Sequence, residues 1–273
     1  MRGTFGDPRT LFFGPHTLRT LLKGDGKFQF HFGVDVSAPN GTPAYPVASG
    51  VVTRVDGERI VVASANGRAF EYWHLHAAVR IGQRVTASAT VLGRIAAPAG
   101  HVHLSELDQG VYVNPLQPGH LTPYGDRTKP TVDDVRVRRD GRTLTIDAAA
   151  HDMPSVHVPG VWRDLPITPA EISWSLRDAA GHTVVPTRTV YDVRRTLPAP
   201  GTFWLVYARG SHQNMTTFRK FYAYRQPGEY LFRLTPDGLD IARLHAGAYA
   251  IVVTATDERG NHSSATELIH VGR

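Results

Sequence analysis

Between residues 47 and 74 lie three short runs rich in β-branched and aromatic residues: VASGVVTRV (47–55), RIVVAS (59–64) and AFEYWH (69–74). Asp56-Gly57 and Asn66-Gly67 stand between them. Such dipeptides supply the positive φ angles of tight hairpin turns, so the pattern predicts antiparallel strands. It returns near the middle of the chain, where Val132–Val137 and Thr143–Ala148 flank Asp140-Gly141. Near the end, Gly247–Asp257 alternates apolar and polar residues, then turns at Glu258-Arg-Gly-Asn261 into a last strand. Amphipathic helical spacing is scarce, with Leu11–Leu22 its best instance. The expected fold class is all-β.

A chain of 273 residues is long enough for two domains. Leu116–Pro130 (LQPGHLTPYGDRTKP) is rich in proline and glycine and lacks apolar alternation, which marks a boundary. The expected division is residues 1–120, a linker at 121–130, and a β-sandwich at 131–273. Thr196–Tyr230 reads as an aromatic-rich insertion decorating that sandwich. Aromatics between Phe203 and Phe232 are expected in its core rather than on a sugar-stacking face.

No stretch approaches the ~20 apolar residues of a membrane span. The first residues, MRGTFGDPR, lack the apolar run of a secretory signal. Absence of cysteine excludes disulfides, thiolate metal sites and cysteine nucleophiles together. The net charge of +6 comes mainly from arginine, since the only lysines are Lys23, Lys27, Lys129 and Lys220. That balance allows contact with anionic cell-wall polymers. Scattered arginines without a recognition motif argue against nucleic acid.

Chemistry concentrates in two motifs. His31-Phe-Gly-Val-Asp35 offers an imidazole and a carboxylate four positions apart, and His101-Val-His103 offers two more imidazoles. A catalytic zinc site needs three N/O ligands and one open position, which these four residues supply with one histidine to spare. Along an extended Gly100–Leu107, His101 and His103 point the same way and Glu106 points opposite, as a structural residue. The same rule puts Tyr72, His74 and His76 on one face of their strand. Gly33 is expected to let the backbone bend so that both ligands of the first motif converge. His76 reads as a bystander at the groove edge. His151, His157, His182 and His212 read as surface or hydrogen-bonded residues.

HFGVDVSAPNGTPAYPVASGVV, YWHL, VRIGQRVTASATVLGRI, GHVHL and the following NP resemble the lysostaphin-type zinc endopeptidases of the bacterial cell wall over roughly residues 28–116. The resemblance implies a curved antiparallel sheet, with Zn2+ held by His31, Asp35 and His103, and His101 and His74 as catalytic histidines. It further implies hydrolysis of peptide bonds in peptidoglycan, outside the cytoplasm, through a zinc-activated water. The sequence departs from that pattern at Arg94–Gly100, a short approach to the second motif, and at Leu104-Ser105-Glu106, where Phe-Glu usually follows it. The C-terminal half, through LHAGAYAIVVTATDERGN, resembles the immunoglobulin-like modules appended to secreted bacterial enzymes.

Two other functions compete. A catalytically silent scaffold that binds the wall or activates another hydrolase would typically lack a zinc ligand, and this chain keeps all three. PVASGVV and VRIGQRVTA also resemble biotinyl or lipoyl carriers, but no lysine falls between residues 28 and 128 to carry the group.

Overall fold

The hairpin turns foreseen in the sequence organise an antiparallel sheet. The protein is described by a computed structural model covering residues 1–11, 27–121, 124–156, 158, 160–214 and 227–272. The first half contains β1 (Pro8–Leu11), β2 (Lys27–Phe30), β3 (Val34–Ser37) and β4 (Pro43–Ala44). A meander follows: β5 (Gly50–Asp56), β6 (Arg59–Ala63) and β7 (Arg68–Trp73). Then come β8 (Leu75–Ala77), β9 (Arg84–Val85), β10 (Gly93–Ile95), β11 (His101–Asp108) and β12 (Val111–Val113). The main sheet has the order β12-β11-β7-β6-β5-β9, with β3 also paired to β11. Asn66 and Gly67 turn β6 into β7 with φ angles of 60° and 75°, the positive pair that an Asn-Gly turn provides. Val34, Val52, Ile60, Val62, Phe70, Tyr72 and Leu104 form the core beneath this sheet.

The second half holds β13 (Thr131–Asp140), β14 (Thr143–His151), β15 (Glu171–Asp178) and β16 (Thr183–Asp192). One helical turn, α1 (Phe203–Val206), precedes β17 (Leu231–Arg233), β18 (Leu239–Asp240), β19 (Gly247–Thr256) and β20 (His262–Val271). One sheet centres on β14, flanked by β13, β17 and β18; the other has the order β16-β15-β19-β20. Ile146 and Ala148 from the first share a core with Ile172, Trp174, Leu176, Ile251 and Val253 from the second. Alternation along β19 puts Tyr249, Ile251, Val253 and Ala255 inside, as its sequence pattern requires. The fold is all-β, with a pair of sheets closing one core in this half.

Three local readings change. Tyr72, His74 and His76 do not share a face, because the strand breaks at His74 (φ 67°) between β7 and β8. Tyr72 is buried in the core and His76 is exposed. The described part of Thr196–Tyr230 is no decoration: Phe203, Tyr207 and Tyr230 are buried in the sandwich core. Phe5 and Phe30 join the same core, and the Phe30 ring lies 5.1 Å from that of Phe203. The Leu11–Leu22 reading falls outside the described residues beyond Leu11, where β1 ends, and so does His157.

Candidate metal centre

Three segments meet at the motif residues. Residues 1–11 run antiparallel to residues 27–35, with Gly3 bridged to Asp35 and Pro8 paired with Phe30. β3 then pairs with β11, placing Asp35 opposite His103, while Trp73 of β7 lies opposite His103 on the other side. The strand register therefore carries both motifs to one point.

There, His31 Nε2 lies 2.7 Å from His103 Nδ1 and 3.3 Å from Asp35 Oδ1. His103 Nδ1 lies 3.2 Å from the same Asp35 oxygen. Ligands at about 2.0–2.1 Å from a tetrahedral Zn2+ stand about 3.3 Å apart. Two edges of this triangle already match, and only the histidine pair must open slightly. The far ring atoms agree with that role. His31 Nδ1 donates to the Thr4 carbonyl at 2.7 Å, leaving Nε2 as the lone-pair nitrogen. His103 Nε2 lies 2.8 Å from Ser105 Oγ, which leaves Nδ1 to face the centre. Such outer partners fix the tautomer and orientation of metal-binding imidazoles. The donor set therefore fits Zn2+.

Asp35 divides its two oxygens. Oδ1 faces the histidines, while Oδ2 accepts from the Arg9 guanidinium at 2.7 Å and lies 3.6 Å from Arg2 Nε. Burial would raise this carboxyl, but Arg9 and the adjoining imidazoles outweigh it and hold it well below the usual carboxylate range. Asp35 thus stays ionised despite being 2% exposed.

His101 stands next to the triangle. Its Nδ1 donates to the Ala99 carbonyl at 2.7 Å, so Nε2 carries the lone pair, 3.6 Å from Asp35 Oδ1. Burial, aided by Arg2 and opposed by Asp35, brings its pKa down to about 3. The ring is neutral at ordinary pH. His74 stacks obliquely on it, with ring centroids 4.6 Å apart, and its Nδ1 lies 3.6 Å from Glu58 Oε2. Its positive φ turns the side chain away from the strand, where simple alternation would not have put it; histidine is among the residues enriched in that conformation.

Gly33 serves the centre by closeness rather than by bending. Its φ is not in the left-handed region, but a Cβ there would sit 2.8 Å from His103 Nε2 and 2.4 Å from the Leu104 carbonyl oxygen. Gly33→Ala is expected to displace the His103 ring and weaken zinc binding about 10- to 100-fold, comparable with loss of an outer partner. A competition titration against a zinc chelator measures this, with wild-type affinity as the contrary result.

The structure gathers His31, Asp35, His101, His103 and His74, all five expected residues. His76 stays outside, paired through its backbone with Arg94. Glu106 lies on the other side of β11, held by Arg68 Nε and His120 Nδ1 at 2.8 Å each. Arg2, Arg9 and Trp162 belong to the site without having been foreseen. Arg2 donates to His101 Nε2 at 3.1 Å, its guanidinium carbon lies 3.9 Å from the Trp162 ring centroid, and its carbonyl accepts from Asn214 Nδ2 at 3.2 Å. These contacts join positions remote in sequence, and no local motif announces them.

Residues 29–115 match the model of peptidase family M23. A peptidoglycan DD-endopeptidase from Vibrio cholerae serotype O1, ShyC, is 30% identical over 114 residues, which are 38% of this chain and 25% of the relative. The chain thus spans about a quarter of that relative's length. Among solved structures, the catalytic domain of a prophage-encoded M23 protein, EnpA from Enterococcus faecalis, is 24% identical. It covers 41% of this chain and 88% of its own, with a TM-score of 0.31. A zinc-containing peptidase from Vibrio cholerae is 22% identical over 41% of this chain and 34% of its own, with a TM-score of 0.32. The motif residues, their convergence and the family match agree: residues 29–115 of this chain form a peptidase family M23 domain.

Proposed function

We propose that the protein is a zinc metallo-endopeptidase that hydrolyses peptide bonds of bacterial peptidoglycan outside the cytoplasm. The observation that carries this reading is the triangle of His31 Nε2, Asp35 Oδ1 and His103 Nδ1, with the unprotonated Nε2 of His101 beside it. The family match and the resemblance to a peptidoglycan DD-endopeptidase support the substrate class. Retention of every expected donor argues against a silent scaffold.

His31, Asp35 and His103 would hold Zn2+, which supplies an activated water at neutral pH and polarises the scissile carbonyl. Each remaining step belongs to the chain. His101, anchored through Nδ1 on the Ala99 carbonyl, takes a proton at Nε2 and can return it to the leaving amine. His74, at the more open edge, is placed to donate to the developing oxyanion. The Phe32 ring lies 4.7 Å from that of His103, and Trp73 lies edge-on at 6.5 Å. These aromatic walls limit water around the ligand histidine. The division at residues 121–130 would separate this peptidase unit from an immunoglobulin-like module, whose basic chain could meet anionic wall polymers.

Arg2 occupies the lone pair that His101 needs as a base, and must withdraw before turnover. Arg2→Ala is therefore expected to raise kcat/KM on a soluble stem peptide several-fold, since one charge-assisted hydrogen bond contributes about 1.5–3 kcal/mol. A fall in kcat/KM with unchanged zinc content would instead make Arg2 a substrate-binding group.

The function is tested by release of new amino groups from purified peptidoglycan by the zinc-loaded protein, against a chelated control. Fragment masses identify the bond. No release by protein that binds one equivalent of zinc would refute the assignment.

A further inference from the structure

Away from the M23 centre, four acidic side chains meet at one end of the sandwich. Asp126 comes from the segment entering β13, Asp152 follows β14, and Asp257 and Glu258 form the β19–β20 turn. One carboxylate oxygen from each of Asp126, Asp152 and Asp257 lies within 4.8 Å of the other two. That is the widest separation of two oxygens bound to one Ca2+ at about 2.4 Å. All four residues are buried, with Asp152 1% and Glu258 6% exposed.

Acidic clusters often reflect nothing more than turn chemistry, and part of this one is used that way. Asp257 Oδ1 accepts from the backbone N–H of Arg259 and Asn261, and Asp126 Oδ1 accepts from Thr128. The unsatisfied atoms are what point to a ligand. Asp152 Oδ2 and Glu258 Oε1 are buried with no hydrogen-bond partner. A buried carboxylate oxygen left unpaired costs about 1–3 kcal/mol or more, and here two lie beside further carboxylates. Among the described residues no ion pair joins any of the four acids to a basic side chain. Arg259, the nearest arginine in sequence, instead donates to the Tyr124 carbonyl and lies over the Tyr124 ring. Burial and mutual repulsion push Asp152 up to about 8 and Glu258 to about 7, so without a cation the cluster must retain protons.

We propose that Asp126, Asp152 and Asp257, with Glu258 beside them, form a Ca2+ site that fastens the segment before β13 to the end of the sandwich. The donor set is oxygen only, which suits a hard cation rather than zinc. Three or four loop-borne carboxylates favour Ca2+ over Mg2+, which usually keeps several waters and takes one or two carboxylates. The surrounding bonds hold the ligands in place. Tyr124 donates to Asp126 Oδ2 at 3.0 Å, and Asn261 Nδ2 reaches both Asp257 Oδ2 at 2.6 Å and the Asp126 carbonyl at 3.2 Å. Because Asp126 lies between the halves of the chain, the cation would stiffen their junction. This site is independent of the peptidase assignment.

The test uses the full chain, stripped of divalent ions, reloaded with zinc and titrated with CaCl2 in a calorimeter. One Ca2+ is expected per chain. With a dissociation constant of about 10 μM, 1 mM Ca2+ should raise Tm by about 5–10 °C. Tryptic cleavage after the exposed Arg127 should slow at least about tenfold. Asp152→Asn should abolish both effects while folding normally, since it keeps the shape and removes one repelling charge; Asp126→Asn is the second variant. No calcium-dependent heat or Tm shift in the wild type would overturn the site. So would a shift surviving in both variants, and an equal shift with Mg2+ would overturn the calcium assignment.

Discussion

His101→Ala is expected to lower turnover of peptidoglycan peptides by about 10²- to 10⁴-fold, the usual contribution of a positioned general base. Zinc content should not change, because His101 Nε2 lies 3.6 Å from Asp35 Oδ1 and its imidazole is not one of the three convergent donors. The fold should persist as well. The lost ring leaves the Ala99 carbonyl without its donor and Arg2 without its acceptor, yet Arg2 keeps Asp35 and Trp162 as neighbours. Amino-group release, metal analysis and Tm on one preparation separate these effects. A folded, zinc-loaded His101→Ala protein with wild-type turnover would rule out the base assignment.

The ligands should behave differently from the base and from one another. His103→Ala is expected to abolish zinc binding and activity together, with modest loss of stability. Asp35→Asn should also lose zinc, but at a larger cost to the fold. Its carboxylate is buried against Arg9 and Arg2, and removing one member of a buried ion pair typically destabilises by about 3–5 kcal/mol. Denaturant unfolding of both zinc-free variants tests the contrast. Equal stability of the two would mean that Asp35 serves the metal alone. The arginines make this carboxylate more than a ligand: its Oδ2 ties the N-terminal segment to the floor of the site, while Oδ1 is left to the cation.

The motif residues were legible because strand register preserves local spacing. His101 and His103 are two apart on β11, so both reach Asp35 Oδ1, at 3.6 and 3.2 Å. His74 was legible as a residue but not as a position. Alternation predicts its neighbours correctly only while the strand continues, and the positive φ ends that rule at His74 itself. Gly33 was noticed for the wrong reason: sequence shows that a glycine is present, whereas only the neighbouring ring of His103 shows why a side chain cannot fit.

The amino-acid order by itself determined the hairpins, through turn dipeptides that act within four residues, and the identity of the metal donors, through two compact motifs. Those are local properties, decided by φ preferences and side-chain chemistry before any long-range contact forms. The tertiary structure alone decided that Arg2 lies on His101, 99 positions away, and that Arg9 neutralises Asp35. It alone brought Asp126, Asp152 and Asp257 together from three separate segments. Buried charges find partners wherever the packed core leaves them no water, and which segments meet in that core is a property of the whole chain.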